Sequence, residues 1–261
     1  MARLARIKAE DCGAFYHLCG RTAGVIGDYP LDDKRCRRKI VEFIRLFSRV
    51  YCCKILGFCI MGNHYHLVVH MDEPRTMSRK ELRERASVLY TDLILDAWFD
   101  SSWKRFEKRI FDVSELMRSL QSKIARWFNL THNRRGRFWA DRFKSVLLED
   151  EKSMFDCLLY VELNPVRAGI VELPENYDGS SLYYREMKDD RWMGAITEIT
   201  DRSRRKEAMS DYKSAVYYRG SVATKENQAA ISQRVLKLVE SKDFKTEGIF
   251  TKRLRHFTDG V

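Results

Sequence analysis

The chain has 261 residues, with 48 Lys and Arg against 37 Asp and Glu, a formal net charge of +11. Hydrophobic residues make up 44% and aromatics 12%, which excludes general disorder; 4 Pro and 13 Gly exclude collagen-like and Pro-rich chains. No stretch approaches the roughly 18 apolar residues of a membrane span, and the charged start MARLARIKAEDC lacks a signal-peptide core, so a soluble, cytoplasmic protein with no membrane partner is expected.

A pI near 9.3 suits a phosphate-rich partner, nucleic acid first. The 7 Cys are odd in number and form no CxxC pair, against both a disulfide framework and a zinc ribbon. Cys19 and Cys59 lie in apolar runs and Cys52 adjoins Cys53, so the cysteines read as reduced, buried small hydrophobes.

Residues 14–22, AFYHLCGRT, alternate as a strand does, and a turn follows. Asp32 or Asp33 can cap a helix from Lys34, in which Ile40, Phe43, Ile44, Phe47 and Val50 make one apolar face. Lys34, Arg35, Arg37, Arg38 and Lys39 crowd its first turns, where the helix dipole disfavours cations. Either an anion lies nearby or this is a solvated face. Residues 52–60 and His64–Met71 read as two strands joined by the turn Met61-Gly62-Asn63, an antiparallel hairpin.

From Asp72 to about residue 110 the pattern is charged and helical, a helical insertion. A weak capping box at Ser114 opens a helix through Leu116, Leu120, Ile124 and Trp127. The basic turn HNRRGR leads to a fourth strand over 138–148, and the acids Glu149, Asp150 and Glu151 open a helix expected to end at Pro165. The fold class is therefore α+β, with the ferredoxin-like order β-α-β-β-α-β on an antiparallel sheet. A domain over 1–180 followed by a basic helical extension over 181–261 is expected. The final residues, HFTDGV, stop without a helix cap, as if within a longer chain.

His64 and His66 are two apart on a strand, so they share a face and can bind one metal, while Tyr65, Leu67 and Val69 point into a core. Taken alone this is a weak signal. About a hundred residues on, Tyr160 and Asn164 are four apart on a helix and bring a phenol and an amide to one place.

Together, Asn63 to Leu67, Arg142-Phe143-Lys144 and the run YVELNPVRAGIV from Tyr160 resemble the single-tyrosine HUH transposases, closest to the REP-associated tyrosine transposases. The resemblance covers roughly residues 3–180. It implies a metal-dependent enzyme that cuts and joins single-stranded DNA beside hairpins. Tyr160 would be the nucleophile, leaving a 5′-phosphotyrosine and a free 3′-hydroxyl; His64 and His66, also counted as catalytic, would hold the metal with Asn164. The cofactor implied is Mg²⁺ or Mn²⁺, although two His also suit Zn²⁺ or Ni²⁺.

The chain departs from that pattern in places. Gly62 stands where Pro is common, and the insertion is longer than usual. His70 shares the face of His66 and is expected to be structural or phosphate-facing. Glu162 is a harder ligand than Asn164, but two positions on from Tyr160 it points away.

The partner expected is single-stranded or hairpin DNA. Its candidate contacts are Arg3 and Arg6 in the N-terminal arm, Arg134, Arg135 and Arg137 in the basic turn, Arg142 and Lys144 alternating on the fourth strand, and Arg167 after the tyrosine helix. Phe138 and Trp139 are expected in the core rather than stacked on bases. Monomer and homodimer are equally open. A hairpin-binding protein without mobility and an HUH replication or conjugation initiator are the alternatives; the initiator would usually place its tyrosine ahead of the histidines.

Overall fold

The computed structural model describes residues 12–24, 27–222 and 229–232. Four strands, β1 (Ala14–Arg21), β2 (Cys53–Ile60), β3 (His64–Met71) and β4 (Lys144–Leu148), form one sheet in the order β2-β3-β1-β4. Every pairing is antiparallel. Helix α1 (Lys34–Val50) joins β1 to β2, and the hairpin β2–β3 is followed by α2 (Arg79–Ala86), α3 (Asp92–Asp96) and α4 (Asp100–Ile110). Helix α5 (Val113–Thr131) then leads to β4, and α6 (Glu151–Arg167) follows it. The α+β class and the β-α-β-β-α-β order thus hold, with α2–α4 inserted. Helices α7 (Ser181–Glu186), α8 (Ile196–Thr200) and α9 (Arg205–Ser221) complete the described chain. Among the described residues no helix is long and apolar enough to cross a membrane.

The two-residue alternation of the strands divides the interior between the two faces of the sheet. Tyr16, Leu18, Tyr65, Leu67 and Val69 face α1 and α5, whose stripes Ile40, Phe43, Ile44, Phe47 and Leu116, Leu120, Ile124 cover them. The insertion contributes to the same core through Met77, Leu82, Trp103 and Phe106. On the other face, Leu56, Cys59 and Val68 meet Leu158, Leu159 and Leu163 of α6, and α9 closes over α6 with Tyr212, Ala215 and Val216. Gly57 lets α6 approach closely: a Cβ there would lie 2.5 Å from Leu158 Cδ2. At the register shift between Ile55 and Gly57, the Leu56 carbonyl accepts 2.8 Å from the buried Arg185 guanidinium.

Asp33, not Asp32, caps α1 by accepting from the Cys36 N–H. The crowded cations at that end do find an anion: Arg37 Nε donates 2.7 Å to Asp178, and Lys34 lies 3.9 Å from the same carboxylate.

Three local expectations are corrected. Helix α5 is capped by Asp112, which accepts from the Ser114 and Glu115 N–H groups, and so begins before Ser114. The fourth strand spans only Lys144–Leu148. Phe138 and Phe143 both enter the same core although five residues apart, whereas a continuous strand would send them to opposite faces. Residues 138–143 therefore cross the end of β1 irregularly, with Ala140 N–H donating to the Arg21 carbonyl, and Arg142 is exposed ahead of the strand rather than on it. Finally, α6 runs through Pro165 to Arg167. Pro165 has no N–H for the Val161 carbonyl; the Asn164 side-chain amide replaces it, with Nδ2 2.9 Å from the Tyr160 carbonyl and 3.4 Å from that of Val161.

Candidate functional site

The sheet face under α6 gathers histidines from two neighbouring strands. On β3, His64 and His66 project together as their spacing requires, with rings 5.1 Å apart and perpendicular. Across the ladder, Cys19 of β1 is the direct partner of His66, and His17 is two residues further along the same face. His17 Nε2 lies 3.0 Å from His66 Nδ1, and Cys19 Sγ lies 3.1 Å from His66 Nδ1 and 3.3 Å from His17 Nε2. His17, Cys19 and His66 are thus a group of donors able to hold a metal ion. Cys19 is not a packed small hydrophobe as its apolar run suggests. The signal for it is the His17-x-Cys19 spacing, the same alternation that marks His64 and His66.

Helix α6 lays Tyr160 against this group, its ring centre 5.6 Å from that of His66 and 6.1 Å from that of His17, both edge-on. Leu158, Leu159 and Leu163 fasten the helix to the sheet on one side while Tyr160 stays 42% exposed on the other, open to a ligand. The structure therefore brings together His64, His66 and Tyr160, which lie far apart in sequence. Asn164 is one turn beyond Tyr160, its Nδ2 engaged with the helix backbone.

Burial and neighbouring charges tune the group. Burial, then the adjacent His17 and His64, pushes His66 down to about 3. Burial also lowers His17, and burial with Arg21 lowers His64. All three imidazoles are thus neutral at physiological pH and carry a free lone pair. Asn63 Oδ1 lies 2.8 Å from His64 Nδ1, which fixes that proton and frees His64 Nε2. Burial raises the Cys19 thiol to about 11 against the pull of Lys144. Burial also raises the Tyr160 phenol, and Arg167, its guanidinium 5.7 Å from the ring centre, opposes that rise.

His70 stays outside the group. It packs on Phe15 with ring centres 4.7 Å apart and lies 3.6 Å from Asp72. Glu162 is turned to the far side of α6, where Ser181 Oγ donates 2.5 Å to it and the Leu182 N–H 3.1 Å. That carboxylate anchors α7 and is not available to an ion at the histidines.

Of the basic candidates, Lys144 and Arg167 are placed at this group, Lys144 opposite Cys19 and Arg167 over Tyr160. Lys144 pairs with Cys19 across β1 and β4 and is exposed, as are Arg135 and Arg142, while Arg134 is half-buried. Arg137 is spent locally, its Nε donating 2.7 Å to the Trp139 carbonyl. Phe138 is buried, and Trp139 donates from Nε1 to the Gln121 carbonyl at 2.9 Å, so neither is a free stacking surface. Arg3 and Arg6 lie outside the described residues. Two cations escaped the sequence reading: Arg21, opposite His64 on β1, and Arg219, whose charge reaches Arg167.

No protein-family model matches the chain, and no curated protein sequence does. One similar solved structure is that of a REP-associated tyrosine transposase bound to a REP hairpin, at 13% identity, a TM-score of 0.49, and coverage of 72% of this chain and 87% of that one. At that level the match decides neither fold nor function.

Proposed function

We propose that the protein is a metal-dependent DNA strand transferase of the cytoplasm, acting on single-stranded DNA beside hairpins, with Tyr160 as nucleophile. The observation that carries this reading is the half-exposed Tyr160 ring set edge-on against the neutral His66 and His17. It accords with the motif resemblance around Asn63–Leu67 and Tyr160–Gly169.

In the reaction, Tyr160 Oη attacks the phosphorus of a phosphodiester. An O–P bond forms to the phenol, the P–O3′ bond breaks, the phenolic proton is lost and the departing 3′-oxygen gains one. One phosphodiester is exchanged for another, so a 3′-hydroxyl of a second strand can reverse the step without an external energy source. Arg167 favours the phenolate through its positive charge. Lys144, opposite Cys19 on the neighbouring strand, and the exposed Arg142 and Arg135 are the cations this reading gives to the backbone phosphates.

A divalent cation bound here would polarise the scissile phosphate and offset the charge on its oxygens. His66 and His64, as neutral imidazoles, fit that role, and Asn164 keeps its Oδ1 as the oxygen donor expected of it. Of Mg²⁺ and Mn²⁺, Mn²⁺ is the better match, because Mg²⁺ prefers carboxylate and water oxygens and the histidine group contains no carboxylate.

The test is incubation of the full chain with labelled single-stranded hairpin DNA and Mn²⁺, followed by a denaturing gel. A covalent protein–DNA adduct that disappears in Tyr160→Phe is expected. An adduct that survives Tyr160→Phe, or its absence from the wild type across a hairpin library, overturns the reading.

A further inference from the structure

We propose that His17, Cys19 and His66 together grip a metal ion at His66 Nδ1, a donor set different from the His64, His66 and Asn164 set of the strand-transfer reading, and that Cys19 makes it a site for Zn²⁺ or Co²⁺ rather than for Mg²⁺. The first ground is the shape of the donor triangle. Its edges are 3.0, 3.1 and 3.3 Å. Around a tetrahedral zinc, bonds of about 2.0 Å to nitrogen and about 2.3 Å to sulfur place neighbouring donors roughly 3.3 to 3.6 Å apart. The three atoms thus already stand close to three corners of that tetrahedron, and a small outward movement would admit the ion.

Hydrogen bonding among the three accounts for less of this. An imidazole nitrogen offers one in-plane direction and serves one linear partner. Here each of the two ring nitrogens has two neighbours at 3.0–3.3 Å, more than one linear hydrogen bond can serve.

The second ground is rigidity. The donors project from adjacent paired strands, and the pairing of Cys19 with His66 is set by the backbone ladder. Ligands held on strands need little ordering when the ion arrives. The third is chemistry. A thiol with two imidazoles selects borderline and soft ions over Mg²⁺. Binding converts the Cys19 thiol to thiolate and releases its proton to solvent. Tyr160 lies edge-on against both imidazoles, and a phosphate oxygen or a further side chain would complete the shell. Only the catalytic use of the ion rests on the strand-transfer reading; its binding does not.

The test is titration of the full chain with Co²⁺. The expected result is a thiolate-to-cobalt charge-transfer band in the near ultraviolet with the strong visible bands of a low-coordinate site, both displaced by Zn²⁺. Cys19→Ser should remove the charge-transfer band, and His17→Ala should weaken binding at least about tenfold, while Cys157→Ser keeps the spectrum. A wild type without the band, or a band that persists in Cys19→Ser, overturns the proposal. X-ray absorption of the zinc-loaded wild type gives a reading that needs no variant to fold: one sulfur in the first shell is expected, and a shell of nitrogen and oxygen alone overturns it. Because both readouts are of binding, a protein that takes up Zn²⁺ yet forms no DNA adduct would sink the transferase reading and leave the site standing; the reverse pairing would do the opposite.

Discussion

Arg167 and Tyr160 lie on the same helix, and the guanidinium of the first stands 5.7 Å from the ring centre of the second. Burial pushes the phenol up, and this cation, with the Asn164 side chain, pulls it down. The phenolate is the stronger nucleophile, so the pair matters most where the phenol is protonated. Arg167→Ala should slow adduct formation about fivefold near neutral pH, by loss of a contact worth about 1 kcal/mol. The deficit should shrink as the pH rises toward full ionisation. A deficit that stays constant across the pH–rate profile would assign Arg167 to DNA binding alone.

Asn164 has a backbone duty as well as a proposed metal one. Asn164→Ala strips the carbonyls of Tyr160 and Val161 of their side-chain donor and should cost about 1 kcal/mol in denaturant unfolding. Pro165→Ala restores a backbone N–H for the Val161 carbonyl, so the double variant should regain the stability. If cleavage returns along with stability, the amide serves only the helix. If stability returns and cleavage does not, its oxygen serves the ion.

Glu162 makes a pH-dependent contribution to folding. Burial lifts its carboxyl from 4.5 to about 7 against the donors Ser181, Leu182, Tyr212 and nearby Arg185. A folded-state value above the unfolded one gives stability that is complete below pH 4.5 and is lost as the pH rises through 7. Between about pH 5 and pH 8 the wild type should lose roughly 2–3 kcal/mol relative to Glu162→Gln. Thermal melts of the two proteins across that range check this; parallel curves would show that the carboxyl stays in one protonation state.

The exposed cations should be visible in salt titrations. Arg142→Ala and Lys144→Ala should each reduce the slope of log affinity for single-stranded DNA against log salt by about 0.7. Arg137→Ala should do less to the slope and more to stability, because its Nε holds the Trp139 carbonyl. Equal slopes for all three would move the DNA path away from β4.

The sequence was most legible where a period was clean. Strand β3 and the stripe of α1 emerged at nearly their observed bounds because one face of each is continuously apolar. Legibility failed where a side chain altered the backbone's local rule. Phe138 and Phe143 reach one core from positions that no strand could reconcile, and Asn164 carries α6 past a proline that should have stopped it. The meeting of His64 and His66 with Tyr160 followed from motifs on β3 and α6. The approach of His17 and Cys19 did not, since the pairing of β1 with β3 is a long-range choice that no local pattern on β1 announces.

Helix α6 lies across the sheet of its own chain, and this gives each molecule a self-sufficient set of tyrosine, imidazoles and thiol. For the tyrosine of one copy to serve the histidines of another, α6 would have to leave, exposing Leu158, Leu159 and Leu163 and parting Glu162 from Ser181 and Leu182. Within one chain, then, the groups named for the proposed reaction are already assembled.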